Sequence, residues 1–279
     1  MDQKLIIAGL LAGFALIEFA RGRFLKPTAT ADDRVVELFN TLVVPVLVVP
    51  AIFISAYQFL QWLVPEYEGA WGHLSAVAMF GILLIGDDMV QYWWHRLSHS
   101  VPLLFNFHRA HHEARYISVR VVYRNSFLYY SLMPPLWISA GLIYLGLGEV
   151  YLVYGLLKVI VILGAHCAVP WDAFLYRHQW LSPVAWVIER TISTPATHYA
   201  HHGMDPADGV THYQGNYGNL LFFWDVLFGT AKITRRYPTA FGVADDQRPT
   251  FMRQIFFPFF RGWRQPEQDT ASGSEQPVV

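Results

Sequence analysis

The chain has 279 residues, of which 54% are hydrophobic, 16% aromatic and only 15% charged. Soluble domains average about 25% charged residues, so the composition excludes an ordinary soluble protein and points to a membrane one. A net charge of −1 gives no bulk attraction to nucleic acid, and the single Cys167 excludes an internal disulfide.

In chain order, residues 5–20 form a short apolar run without the basic leading region or cleavage site of a signal peptide. It predicts a first transmembrane helix, slightly short of the usual ~20 residues. Arg21, Arg23 and Lys26 follow at once and mark this end as cytoplasmic. Residues 35–63 predict a second span, kinked at Pro45 and Pro50. The loop 64–74 holds Glu66 and Glu68 but no Lys or Arg, and reads as the outer side. A third span covers 75–94. Residues 127–147 and 150–167 predict a hairpin of two more spans, with Pro134 and Pro135 in the first and a short Gly146–Glu149 connection. Lys158, in the middle of the last span, either snorkels, pairs with an acid such as Asp87, or marks a substrate path. The expected fold is an all-α integral membrane protein with about five transmembrane helices, a four-helix core plus one, and a cytosolic helical cap. The chain shows no internal repeat.

The third span changes character near its end. Asp88, Tyr92, His95 and His99 are spaced by four, three and four residues and form one polar stripe on a helix face. An acid at membrane depth is costly and faces the bundle interior. Asp88 or Tyr92 then orients a histidine ligand from behind, the alternative being a carboxylate wetted at the helix end. Residues 95–126 follow with Arg96, Arg109, Arg115, Arg120 and Arg124 and belong to the inner side. These arginines suit ion pairs within the cap, lipid phosphates, or an anionic substrate.

Eight histidines fall into three groups: His95 and His99; His108, His111 and His112; and His198, His201 and His202. Residues three and four apart share a helix face, so each group is expected to point its imidazoles one way. A neutral imidazole is the commonest protein ligand for first-row transition metals. Eight exceed the four ligands of a tetrahedral zinc site and suit two metal ions.

The pattern HxxxH, HxxHH, HxxHH resembles the fatty acid hydroxylase superfamily, also called the sterol desaturase family, over about residues 80–231. The flanks resemble it too: Asp88-x-x-x-Tyr92-x-x-His95, Pro102 and Phe107 between the first two boxes, Thr194-Pro195 before the third, and Asn216-Tyr217-Gly218, Trp224-Asp225 and Phe228-Gly229-Thr230 after it. The resemblance implies a membrane-bound, non-haem di-iron oxidoreductase that uses O2 to hydroxylate or desaturate a lipid: a sterol, fatty acyl chain, ether lipid or carotenoid. It also implies His166, at the end of the fifth span, as a ninth ligand. His178 and His212 are weaker candidates, and His73 lies on the outer side. Asn216 is placed to hydrogen-bond a ligand histidine, although an Asn-Tyr-Gly turn needs no function. No CxxCH, GxGxxG or HExxH is present. Electrons are therefore expected from a separate ferredoxin or cytochrome b5-like donor. The rival readings are a bis-histidine haem protein and a zinc-dependent or otherwise non-redox membrane metalloprotein acting on lipid.

The expected organisation is N-terminal transmembrane helices at 1–74, a catalytic domain at 75–231, an interfacial C-terminal segment at 232–264 and a disordered tail at 265–279. Within the third of these, residues 251–263 read as an amphipathic anchor.

Overall fold

The computed structural model describes residues 3–245 and 248–264, so the tail expected to be disordered lies outside the described residues. The architecture is helical. Strand pairing among the described residues is confined to β1 (Arg248–Pro249) against β2 (Trp263–Arg264), antiparallel, and two isolated bridges.

Three helices are long and apolar enough to cross a membrane: Ala31–Leu63, Ala76–Ser100 and Phe127–His166. A shorter apolar helix covers Leu5–Ala20 within α1 (Gln3–Ala20). The first long helix comprises α2 (Ala31–Val43), a π-helical turn at Val44–Val48 and α3 (Val49–Leu63). Thr30 opens it with a capping box to Asp33. The widened turn holds Pro45, whose missing N–H cannot serve an α-helical ladder. The second comprises α4 (Ala76–Leu83), a π-helical turn at Leu84–Met89 and α5 (Val90–Ser100). The third holds α7 (Phe127–Ser131), α8 (Pro134–Leu142) and α9 (Gly148–His166), with α6 (Pro102–His112) preceding them.

Side-chain pairs give the directions. Phe80 meets Tyr154 and Asp87 meets Lys158, so α9 runs parallel to α4–α5. Trp94 packs on Tyr129, while Gly86 faces Ile138 and Leu142, so α8 runs antiparallel. The third long helix is thus a hairpin. It breaks at Gly146, whose φ of 111° favours glycine and where a Cβ would stand 2.8 Å from the Gly72 nitrogen. Phe14 lies against Gly164, which sets α1 beside α9. All these rods bring one set of ends together: those near Glu18, His99, Phe127 and His166.

Buried polar anchors fasten the cap to that end. Glu18 is fully buried and accepts from Ser118 Oγ at 2.6 Å, Val119 N at 2.9 Å and Ala168 N at 2.8 Å. Arg124, also fully buried, donates to Asp33 Oδ1 at 2.9 Å, the Ala110 carbonyl at 3.0 Å and Gln254 Oε1 at 2.7 Å. One guanidinium therefore joins α2, α6 and α14 (Phe251–Phe256). Gln254 and Ile255 are buried against the protein, while Phe259 and Phe260 stay exposed. The cap is completed by α10 (Ala173–Arg177), α11 (Ser182–Thr191), α12 (Pro195–His202) and α13 (Phe223–Phe228).

Three of the five cap arginines are held by ion pairs: Arg109 with Glu113 and Asp245, Arg120 with Glu37, and Arg124 with Asp33. Arg96 donates to Tyr92 Oη, and Arg115 to the Asp245 carbonyl. Removing one partner of a buried charge pair costs about 3–5 kcal/mol. Arg124→Met is expected to lose stability on that scale in detergent unfolding, and a loss below about 1 kcal/mol would make the pair incidental.

Candidate metal centre

The helices that carry the histidines begin and end where the sequence dictates. Pro102 opens α6 at a position where its missing N–H is harmless. Thr194 and Thr197 form a capping box for α12, with Pro195 in its first turn and Gly203 just beyond it. The helices are short, and each delivers its histidines in one or two turns.

Nine imidazoles converge in two groups. His95, His99, His108, His112 and His201 form one; His111, His166, His198 and His202 form the other. In each group the candidate ligand atoms lie within 4.8 Å of one another. The expectation that each HxxHH box points one way is corrected here. Successive helix residues are rotated by about 100°, so the adjacent histidines of a box diverge. His108 and His112, at i and i+4, join one group while His111 joins the other; His198 and His202 join one while His201 joins the other. Each box therefore serves both groups.

The hydrogen bonds on the outer nitrogens decide the chemistry. His95 Nδ1 meets the Tyr217 carbonyl at 2.7 Å, His111 Nδ1 the Val121 carbonyl at 3.1 Å, His166 Nδ1 the Ile162 carbonyl at 2.8 Å, and His201 Nδ1 the Gly215 carbonyl at 2.8 Å. His108 Nδ1 meets Asn125 Oδ1 at 2.8 Å, with the Asn125 amide donating to Tyr130 Oη. A carbonyl only accepts, so these five Nδ1 atoms carry the proton and, in a neutral ring, leave Nε2 as a bare lone pair. Yet His95 Nε2 and His201 Nε2 stand 3.0 Å apart, and His111 Nε2 and His166 Nε2 3.2 Å apart. Two lone pairs at that distance repel unless a cation lies among them. Among the described residues, His99 Nε2 is buried with no hydrogen-bond partner. The donor set fits two transition-metal ions, one per group.

Burial keeps the rings neutral. His201 is 0% exposed and His198 2%. Desolvation first, and neighbouring imidazoles second, hold His108, His111, His112, His198, His201 and His202 well below the usual histidine pKa.

On the polar stripe of the second long helix, Asp88 and Tyr92 face residues 220–230, and neither hydrogen-bonds a histidine among the described residues. Asp88 accepts from Leu220 N, Leu221 N and Trp224 Nε1. Tyr92 Oη pairs with Thr230 Oγ1 at 2.9 Å. Both fix the segment whose Tyr217 carbonyl receives His95. Asn216 does not hydrogen-bond a histidine either: its amide donates to the Thr197 and Lys232 carbonyls and accepts from Lys232 N. Asp225 braces the turn through Tyr217 N at 2.8 Å and Gly218 N at 2.6 Å. A Cβ on Gly218 would stand 2.5 Å from the Leu221 carbonyl, so this turn needs glycine. His212 meets the Thr230 carbonyl, and His178 packs against Phe174 and Trp180; both lie outside the two groups.

Sequence reasoning missed Asn125 and the carbonyls of Val121, Ile162, Gly215 and Tyr217. Asn125 had one available signal, an amide residue in a polar stretch just before an apolar span. The carbonyls have none, because every residue type carries one.

A cavity of about 230 Å³ adjoins the site on the side of the long helices and is lined by His95, His108, His111 and His166. A second, of about 320 Å³, reaches His99 and His112 from the cap, beside Gly203, Met204 and Val243.

Two outcomes follow. His201→Ala and His111→Ala fall in different groups, so each is expected to lose about one metal ion per chain and retain the other, read by elemental analysis of folded protein; full retention in either would remove that histidine from the site. Acid should also destabilise the metal-free protein. Unfolding frees these histidines to bind protons below their ordinary pKa of about 6.5, the unfolded chain then holds more protons than the folded one, and stability falls with falling pH. The unfolding temperature should be lower at pH 5.5 than at pH 7.5, and a flat profile would contradict the neutral cluster.

The sequence has known relatives. A family model described as fatty acid hydroxylase matches residues 78–230. The alkylglycerol monooxygenase of Danio rerio is 27% identical over 238 residues, covering 78% of this chain and 45% of that protein. The alkylglycerol monooxygenase of Homo sapiens is 24% identical over 222 residues, covering 74% and 42%. The ornithine lipid hydroxylase OlsE of Rhizobium tropici is 30% identical over 176 residues, covering 62% and 48%. The chain spans less than half the length of these curated relatives. No solved structure matches it.

Proposed function

The chain belongs to the fatty acid hydroxylase family, and from that premise we propose that it is a multi-pass membrane oxidoreductase that hydroxylates or desaturates a lipid with O2 at a non-haem di-iron centre. The observation that carries the reading is the pair of all-imidazole groups, His95, His99, His108, His112 and His201 beside His111, His166, His198 and His202. Iron bound there supplies O2 activation strong enough to attack an unactivated C–H bond. The curated relatives are named for action on alkylglycerol and ornithine lipids, which supports a lipid substrate.

The chain's own residues do the positioning. Backbone carbonyls and Asn125 hold five rings in the tautomer that presents Nε2 inward. Asp88, Tyr92 and Asp225 act one step further back, by fixing the turn that carries the Tyr217 carbonyl. Asn216 holds α12 through the Thr197 carbonyl. Burial excludes water from the site, and the cavity on the long-helix side admits a chain from the bilayer.

Topology follows from charge. Arg21, Arg23 and Lys26 and the arginines of residues 95–126 lie at the end of the rods that holds the site, and Glu66 and Glu68 at the other. Five crossings with the site on the cytoplasmic face satisfy the positive-inside rule. Exposed Trp180, Trp186, Phe259 and Phe260 suit the headgroup zone. Electrons arrive from a separate ferredoxin or cytochrome b5-like protein.

The test is oxidation under 18O2 of iron-loaded protein in nanodiscs, with a ferredoxin and its reductase, against 1-O-hexadecylglycerol, an ornithine lipid and a total membrane lipid extract. The expected result is a lipid product carrying one 18O atom, or lacking two hydrogens, that disappears in His201→Ala. No oxidised lipid from reduced, iron-loaded protein, or lipid hydrolysis by its zinc form, would overturn the reading.

A further inference from the structure

The cavity on the membrane side of the site has two unlike ends. At one end stand His95 and His166. At the other stands an ion pair, Lys158 Nζ with Asp87 Oδ1 and Oδ2, both at 2.9 Å. The two parallel helix segments build this slot in step. Lys158 precedes His166 by eight residues on α9, which at 1.5 Å per residue is about 12 Å. Asp87 precedes His95 by the same eight residues, with Gln91 between them on the slot wall. Leu152, Val153, Leu157 and Ile160 are exposed on the same helix, so the pair lies at the depth of lipid-facing apolar side chains.

An ion pair at that depth needs a reason. Taking both charges from water costs several kcal/mol each, and apolar replacements of such a pair are often neutral or stabilising. Packing alone does not require it. Ionisable residues within a bilayer characteristically face a cavity and serve what passes through it. The ammonium meets both Asp87 oxygens and stands 5.8 Å from the centre of the Tyr154 ring, and it has no further oxygen or nitrogen acceptor among the described residues.

Building on the reading of this cavity as the lipid site, we propose that Lys158 and Asp87 are its recognition point for a neutral oxygen of the substrate. The free ammonium hydrogen donates to a hydroxyl, ether or carbonyl oxygen held about 12 Å from the carbon at the histidines. Asp87 keeps the ammonium charged and aimed. The substrate class is therefore a lipid with an oxygen function remote from its reacting carbon. An unfunctionalised alkyl tail in the slot leaves that donor unpaired, which penalises it.

The test is photolabelling of the full chain in nanodiscs with two probes of equal length, each carrying a terminal diazirine: a dodecanol and the matching dodecane. Labelled peptides are read by mass spectrometry. No turnover is needed, so this result is independent of the oxidation assay. The alcohol is expected to label the slot about tenfold more than the hydrocarbon, the scale of one hydrogen bond to a charged group, with the label near His95 and His166. In the charge-neutral double variant Asp87→Leu/Lys158→Met that preference should vanish, while retained metal content reports an intact fold. Equal labelling of the slot by both probes, labelling by neither, or a preference that survives in the double variant would overturn the proposal.

Discussion

Hydrogen bonds from imidazole Nδ1 to fixed acceptors are the constraint on which the rest of the structure depends. Once the carbonyls of Tyr217, Val121, Ile162 and Gly215 and the Asn125 amide take those protons, the opposite nitrogens have nothing left but lone pairs. Packing such lone pairs about 3 Å apart in a dry interior makes sense only around cations. The acceptors also fix ring orientation, so the geometry of the centre is set by backbone segments that contribute no ligand of their own.

Those segments are held in turn by buried polar anchors. Glu18 fixes the turn at Val119–Val121, which presents the Val121 carbonyl, together with the chain just beyond His166. Asp88 and Asp225 fix residues 217–225. Arg124 locks the start of the first long helix, through Asp33, to α6, which carries the second histidine box, and to α14. Buried charges cost desolvation energy, and each of these is offset by several charge-assisted hydrogen bonds. Their common feature is that they join segments far apart in sequence, which is what a centre assembled from four helices and the loops that brace them requires. The apolar rods set the platform, and the anchors set the site.

Much of this was legible in the sequence. The low charge content, the apolar runs and the three histidine groups announce a helical protein with membrane-length apolar helices and clustered imidazoles, because composition and short spacings act locally. The hairpin at Gly146 was readable from its short Gly-rich connection. The division of each HxxHH box between two groups follows from helix geometry, yet sharing a face was a coarser description than the 100° step allows. Asp88 and Tyr92, read as orienting a histidine from behind, reach the Tyr217 segment through the Leu220 and Leu221 N–H groups, Trp224 Nε1 and Thr230 Oγ1, while Asn216, expected near a histidine, holds the Thr197 and Lys232 backbone. Pairing with Asp87 is one of three readings the sequence leaves open for Lys158, and choosing among them needs the tertiary packing that brings together residues 71 apart in sequence. The segment at 251–263, read as an amphipathic anchor, docks Gln254 and Ile255 into the protein and leaves Phe259 and Phe260 exposed.

The two imidazole groups are expected to hold one metal ion each. X-ray diffraction from crystals of iron-loaded protein, with data collected on both sides of the iron absorption edge, tests it most directly. Two anomalous peaks per chain are expected, one among His95, His99, His108, His112 and His201 and one among His111, His166, His198 and His202. A single peak, none in iron-loaded crystals, or a peak elsewhere in the chain would contradict it.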